Sequence, residues 1–371
     1  MQSNAVERRR MMSKKFFEQF SYFPILRTRQ AELAGFAKLD DEQKDQILPL
    51  IALGKWRNSD GVDKALEKVS ECVGGRPYML DLSKDLQHQN DAVRELLNPE
   101  KGFARWLDFV KEMPEIVPVV QFSVDARVRD VVRQAQGIER EGRQPVFRLR
   151  NYQSDLDQAL AALYALDAPE NALVIIDAGY IRDLSTKRIK SGVLESVLKS
   201  INRIVEEVPE ASRVLAGTSY PRSVTQFLNK GVETSGKIDM LEHVLYEEIG
   251  SDIVMYGDHA SIHSVVYDDA SGIFIPRLDV PSDHSWNFER RPKRKGDAFV
   301  EVAQKLLVDF PELENESSWG AQMIKNTASG NGSAIASAMT AIAVRVNLHI
   351  TYQLDVFGKR SEDPNDQDDW L

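Results

Sequence analysis

The chain has one cysteine, Cys72, among its 371 residues. A single thiol excludes an internal disulfide and any metal site built on several cysteines. Set in the helix-spaced stretch 61–73, Cys72 reads as a small buried apolar side chain rather than a reactive thiol. Long apolar runs are missing too. None approaches the ~18 residues of a membrane span, and the N-terminus has no apolar segment of about 7–15 residues such as a secretory signal carries. A cytoplasmic location with no membrane partner is expected. Surplus positive charge is also absent: a formal net charge of −10 argues against coating nucleic acid by bulk electrostatics and leaves only local basic patches. Finally, no G-x-G-x-x-G follows the first strand candidate, and no G-x-S-x-G elbow occurs anywhere.

What is present is an ordinary globular composition, 42% hydrophobic and 28% charged, enough for one large domain or two modest ones. The stretch Ala172-Leu-Val-Ile-Ile-Asp-Ala-Gly-Tyr180 shows the recurring unit. A short β-branched run predicts a strand covered on both faces, and Asp177 falls where that strand emerges. Eight such runs occur, at 22–26, 47–53, 77–82, 116–122, 145–149, 173–176, 213–216 and 252–256. Helical spacing fills most of the gaps, at 61–73, 91–113, 125–141, 154–166, 194–208 and 240–249, with room for a short helix at 30–39. Strand–helix alternation predicts parallel pairing through right-handed crossovers, and eight units in roughly 240 residues suit a closed (β/α)8 barrel. A doubly wound open sheet is the alternative; the missing glycine fingerprint favours the barrel.

Beyond the eighth strand the pattern changes. Residues 264–267 and 273–278 look like a hairpin turned at Asp268-Asp-Ala-Ser-Gly272. Helical stretches follow at 297–309, 319–327 and 334–354, and the tail 359–371 has the polar, acidic composition of disorder. The expected organisation is a basic leader over 1–20, a barrel over 21–261, a hairpin-plus-helix appendage over 262–358 and the acidic tail. In the leader, Arg8, Arg9, Arg10, Lys14 and Lys15 precede Phe16, Phe17 and Phe20, as in a frayed or docked helix or a segment touching an acidic surface.

Barrel chemistry concentrates where strands end, so the strand-exit residues are the candidates. They are Arg27 and Arg29, Lys55, Asp81 with Ser83, Gln121 with Ser123, Arg148 with Arg150, Asp177 with Tyr180, Thr218 with Ser219, and Asp258 with His259. Alternation places Arg148 and Arg150 on one side of their strand, and Arg27 and Arg29 likewise. Four converging guanidiniums require an anion. In one reading they hold a phosphate or other anionic group, while Asp81, Asp177 and Asp258 bind a divalent cation or act as base and His259 transfers a proton. In the other, arginines and aspartates neutralise one another as a polar plug.

Other chemistries find less support. No glutamate pair flanks the exits at Gln121 and Thr218, against a glycosidase. Lys55 lies beyond its strand, where a solvated lysine is expected rather than a Schiff base. Ser219 has no adjacent base. The run Arg290-Arg-Pro-Lys-Arg-Lys295 behind Trp286 and Phe288 combines cations with aromatics, as single-stranded nucleic acid prefers, but suits a solvated loop or a lid over the mouth equally. Ser329-Gly-Asn-Gly-Ser333 has no lysine after its second glycine and reads as a helix cap at Ser333. Arg345, Asn347 and His349 interrupt an apolar helix face, with His349 expected as a hydrogen-bonded packing residue.

Several of these motifs carry a resemblance. Tyr22-Phe-Pro-Ile-Leu-Arg27, Glu32-Leu33 and Ile47-Leu-Pro-Leu-Ile51 resemble the opening of the beta-protein family. Tyr256-Gly-Asp-His259, Pro276-Arg277, Trp286, Ser318-Trp-Gly320, Gly330-Asn331, Asn347 and His349 resemble its C-terminal part. The resemblance implies a phage-related setting and brings no established activity. The leading expectation is a barrel whose mouth binds an anionic, phosphorylated nucleotide or nucleic acid through Arg27, Arg29, Gln121, Arg148, Arg150, Tyr180, Arg290 and Arg291, with phosphodiester hydrolysis at Asp81, Asp177, Asp258 and His259 as its extension. The competing expectation is a noncatalytic recognition component of a phage-defence system that acts through a protein partner.

Overall fold

The computed structural model describes residues 16–266, 275–292, 297–330 and 335–358. Eight parallel strands close into a barrel: β1 (Phe23–Arg27), β2 (Leu50–Leu53), β3 (Tyr78–Leu82), β4 (Ile116–Val120), β5 (Val146–Leu149), β6 (Leu173–Tyr180), β7 (Ser212–Thr218) and, after an inserted strand β8 (Ser235–Asp239), β9 (Met255–Asp258). Closure is made by Phe23 opposite Gly257 and Pro24 opposite Asp258. The doubly wound alternative is thereby excluded.

Strand alternation sorts side chains into two cores. On β6, Leu173 and Ile175 point into the barrel with Ile25, Leu50, Met79, Val119, Val146 and Val214. Val174 and Ile176 point outward under the helices. Phe17 and Phe20 close the N-terminal end of the interior, so the last part of the leader docks there, while residues 1–15 with their basic cluster lie outside the described residues. At the opposite end polar residues take over.

The outer helices are α1 (Gln30–Ala37), with a short α2 (Asp41–Asp45), α3 (Asp63–Val73), α4 (Asp91–Leu96), α5 (Glu100–Lys111), α6 (Val128–Arg140), α7 (Tyr152–Tyr164), α8 (Val193–Glu207) and α9 (Leu241–Ile249). The single helix expected over 91–113 is two. Pro99 lies between them, and Lys101, Gly102 and Phe103 adopt positive φ at the join. Cys72 on α3 is buried, its Sγ donating to the Leu33 carbonyl at 3.3 Å, and burial pushes the thiol up to about 12. It is structural.

The remainder contains α10 (Ala298–Asp309), α11 (Trp319–Ala328), α12 (Ala338–Phe357) and a hairpin of β10 (Arg277–Ser282) and β11 (Ser285–Arg290). This corrects the expected position of the hairpin. Residues 264–266 form no strand, 267–274 lie outside the described residues, and the turn is Asp283-His284, both at positive φ. The hairpin takes β8 as its third strand, in the order β10-β11-β8. The cap of α12 is Ser337, which accepts from the Thr340 amide at 3.2 Å; Ser333 lies outside the described residues, as does the tail 359–371.

α12 is the eighth helix of the barrel. It packs on α1, where the Asn347 amide donates to the Gly35 carbonyl at 3.2 Å, and its Val346, Ile350 and Leu354 join the outer core. Its Ala341, Val344 and Leu348 join the core of α10 and α11. The β10-β11 hairpin, α10 and α11 are therefore inserted between the eighth barrel strand, β9, and the eighth helix, and the hairpin recruits β8 from the connection after β7 as its third strand.

Candidate ligand site at the barrel mouth

The interior face of the strand exits carries a chain of buried polar groups with Arg148 at its centre. Arg148 Nε and Nη2 donate to Asp177 Oδ2 at 3.0 and 2.7 Å, and Nη1 donates to Asp81 Oδ2 at 2.9 Å. Asp177 Oδ1 lies 2.8 Å from His259 Nε2 and accepts from the Gly179 amide at 2.9 Å. Gly179 adopts a φ of 61°, within a register shift of β6 that a side chain would strain. On the other side, Asp81 Oδ1 accepts from the Leu82 amide and from Gln121 Nε2, at 2.8 and 3.1 Å. Gln121 in turn accepts from Lys84 Nζ at 2.7 Å.

Burial alone raises the Asp177 carboxyl, but His259 and Arg148 outweigh it and hold the group well below the usual carboxylate range. Lys84 moves the other way: burial lowers its ammonium to about 8 against the pull of Asp81. The Arg148 guanidinium is fully paired by two buried carboxylates, so Arg148 matches the polar plug.

Arg27 and Arg150 differ. Glu32, buried on α1, accepts from the Arg27 amide and Nε at 2.8 and 3.0 Å and pairs with Nη2 at 3.0 Å. That leaves Arg27 Nη1 buried without a hydrogen-bond partner among the described residues, as is Ser83 Oγ. The Arg150 guanidinium is 28% exposed and only 3.7 Å from Asp85 Oδ1, too long for a hydrogen bond, while its amide donates to Asp155 Oδ2 at 3.1 Å. Arg27, Ser83, Asp85, Arg148, Arg150 and His259 line one cleft, roofed by Ile262 and Ser264 from the segment after β9. The enclosed space is about 10 Å³, the room of a single water.

The remaining expected site residues fall elsewhere. Asp258 is the clearest correction. Met255, Gly257 and His259 follow the inward phase of β9, so Tyr256 and Asp258 face outward. There Asp258 accepts from the Tyr22 hydroxyl, from Tyr256 Oη at 3.0 Å, from the Ala260 amide at 2.7 Å and from Gln353 Nε2 at 3.2 Å. His349 Nε2 lies 2.8 Å away. The Trp286 indole, which can only donate, reaches His349 Nδ1 at 3.2 Å, so the proton of His349 sits on Nε2 facing Asp258. Burial raises the Asp258 carboxyl, but His349 and these hydrogen bonds bring it down to about 2. Asp258 thus anchors the eighth helix and does not join Asp81 and Asp177 at the mouth, where it was expected to bind a cation or act as base. No group of three or more metal-ligating side chains assembles among the described residues.

Arg29 precedes α1 as its cap residue and does not line the cleft. Tyr180 stacks on His263 with ring centres 4.4 Å apart. Arg290 Nε donates to the Glu233 carbonyl at 2.9 Å, and Arg291 bridges Glu289 and Glu301, so both belong to the second sheet. Residues 293–296 of that basic run lie outside the described residues. Lys55 is exposed, and Ser219 Oγ bonds Glu242 at 2.5 Å with no histidine beside it. Sequence reasoning missed Glu32, Asp85 and Lys84. Glu32 stood in a quoted motif five residues after Arg27, a separation that spans the strand-to-helix turn.

A family model described as Beta protein matches residues 22–355. The chain belongs to the Beta protein family. Protein beta of Enterobacteria phage P4 is 43% identical over 344 residues, covering 92% of this chain and 95% of that protein. A D-allulose 3-epimerase from Methylomonas sp., solved in complex with D-allulose, aligns over 65% of this chain and 83% of its own, at 15% identity and a TM-score of 0.32, a likeness too slight to bear on function. The Beta protein match begins at the first barrel strand and ends within α12, so barrel, inserted sheet and eighth helix fall inside the one family. Among the described residues no helix is long and apolar enough to cross a membrane.

Proposed function

We propose that this Beta protein family member binds a small phosphorylated ligand, of nucleotide type, at the barrel mouth. The observation that carries the reading is the pair of buried, unpartnered donors, Arg27 Nη1 and Ser83 Oγ, on the wall of a cleft that also holds Arg150 and His259. Unmet buried donors are costly unless something supplies their acceptor. Arg27, Arg150 and Ser83 take the phosphate, and Arg148 with Asp81 and Asp177 forms the rigid floor beneath it. Entry requires the roof at Ile262 and Ser264 to move. Phosphodiester hydrolysis extends the reading: Asp177 holds His259 by Nε2, leaving Nδ1 to take a proton from water. The water oxygen bonds to phosphorus, the P–O bond to the leaving group breaks, and His259 returns the proton to that oxygen.

The test is calorimetric titration of mono- and dinucleotides into the full chain, with turnover followed separately. Ser83→Ala and Arg150→Ala are expected to weaken binding about tenfold or more each, and His259→Ala to keep binding while losing turnover. Absence of binding by every phosphorylated compound, or binding unchanged in the Arg27→Ala/Arg150→Ala double variant, overturns the reading. A second reading, a noncatalytic recognition component in a phage-defence setting, draws on Leu86, Val124 and Val128. Leu86 and Val124, on the segments after β3 and β4, are 78 and 100% exposed, and Val128, which opens α6, is 47% exposed, an apolar rim suited to a protein partner. Retention of a phage-challenge phenotype in the double variant, with its loss on Val124→Asp, supports that reading instead.

A further inference from the structure

A second cluster of guanidiniums lies away from the mouth cleft, where three distant parts of the chain meet. Tyr220 follows the end of β7, Arg277 opens β10, and Arg345 comes from the middle of α12. Arg277 Nη2 and Arg345 Nη1 both donate to Tyr220 Oη at 2.7 Å, and Tyr220 Oη donates to Asp279 Oδ1 at 2.9 Å. Asp279 Oδ2 accepts from Arg277 Nε at 3.0 Å and lies 3.6 Å from Arg345 Nη1. The Arg345 guanidinium also lies over the Tyr220 ring, 4.2 Å from its centre.

Counting bonds and charges shows what the cluster lacks. The Tyr220 hydroxyl has spent its proton and both lone pairs. Among the described residues Asp279 is the single carboxylate paired with the two guanidiniums, which do not deprotonate in proteins, so one positive charge is uncompensated there. Arg345 is only 6% exposed, and its Nε has no acceptor among the described residues. An unpaired buried charge with an unmet N–H is an unstable arrangement in isolation. The Arg277 side chain, 23% exposed, gives solvent access to it.

We propose that Arg277 and Arg345 form a second anion site, distinct from the mouth, that takes a phosphate group, free or as an ester. A phosphate offers three acceptor oxygens to guanidiniums arriving from two elements, whereas a carboxylate offers two and matches a single fork.

The Arg345 Nε–H is itself the reporter. Titration of inorganic phosphate, adenosine monophosphate and acetate into the full chain is followed by the arginine Nε–H resonances, assigned by loss of one signal in Arg345→Lys, and by thermal melting. Phosphate is expected to shift the Arg345 signal in a saturable way and raise the melting temperature; Arg277→Gln is expected to weaken that response about tenfold or more. Arg150→Ala, at the mouth, is expected to leave the shift of the Arg345 signal unchanged. A response to adenosine monophosphate alone identifies an ester as the source, and a response to inorganic phosphate identifies the free ion; both support the site. A signal that stays fixed in all titrations overturns it, as does a response to acetate alone. So does a folded Arg277→Gln protein that melts lower yet keeps the full phosphate response, since that marks a purely structural cluster. Failure of the mouth variants to bind nucleotides leaves this outcome untouched.

Discussion

Arg148 on β5 and Arg150 just past its end are two residues apart and face the same cleft, yet they have opposite characters. Arg148 is 6% exposed and caged by Asp81 and Asp177. Removing it strands two buried carboxylates, so Arg148→Met is expected to cost about 3–5 kcal/mol, read from urea unfolding midpoints. Arg150→Ala, with its guanidinium partly in water, is expected to cost less than about 1 kcal/mol. Equal losses would contradict the division into floor and ligand contacts. Asp258 gives a pH signature. Its carboxyl falls from 3.8 to about 2 in the folded protein, so between those values the unfolded chain binds more protons. The stability it contributes is fully present above about pH 4 and is lost as pH falls towards 2. The stability difference between the wild type and Asp258→Asn should therefore shrink over that interval; a constant difference would refute the anchoring role. These residues also show where the sequence is legible. Asp177 and Arg148 sit on strands whose β-branched alternation announces the inward face. Asp258 sits on Met255-Tyr-Gly-Asp258, where the inward Gly257 has no side chain to mark the phase, and its acid was assigned to the wrong side of the wall.

At the scale of elements, all eight barrel strands follow from short apolar runs, because strands covered on both faces have no other composition open to them. The inserted hairpin was misplaced for a physical reason. Asp268-Asp-Ala-Ser-Gly272 carries the residues turns prefer, glycine included, whereas the actual turn, Asp283-His284 at φ of 47° and 53°, has no glycine to mark it. Pairing across β8, β10 and β11 outweighs that local preference, and no local pattern reports such long-range pairing. The eighth helix was read as an element of the appendage for a similar reason: its partner α1 is more than 300 residues away in sequence. Their contact depends on Gly35. A Cβ there would stand 2.5 Å from the Ala343 carbonyl oxygen and 2.9 Å from Val346 Cβ, and backbone cannot retreat as a flexible side chain does. Gly35→Ala is expected to cost about 1–3 kcal/mol in urea unfolding despite alanine's better helix propensity. A neutral or stabilising result would mean that the two helices are not held together as described.

For the whole molecule, the insertion between the eighth strand and the eighth helix makes the barrel and the second sheet mutually dependent. One side of α12 completes the barrel's outer core and another closes the core of α10 and α11. Asp258 ties the same helix to the last strand through His349 and Gln353, and His349 reaches Trp286 in the second sheet. Tearing α12 away would therefore expose both cores and leave the buried Asp258 carboxylate without His349 and Gln353. Two separable domains would instead show a weak interface and independent melting. The expectation is one cooperative transition: a calorimetric enthalpy equal to the van't Hoff enthalpy, and hydrogen-exchange protection of α12 amides equal to that of β1 and β9. A chain ending at residue 330, which lacks α12, is expected to show no cooperative unfolding at all. A separate low-temperature transition that removes protection from the second sheet while β1 and β9 keep theirs would sink this picture.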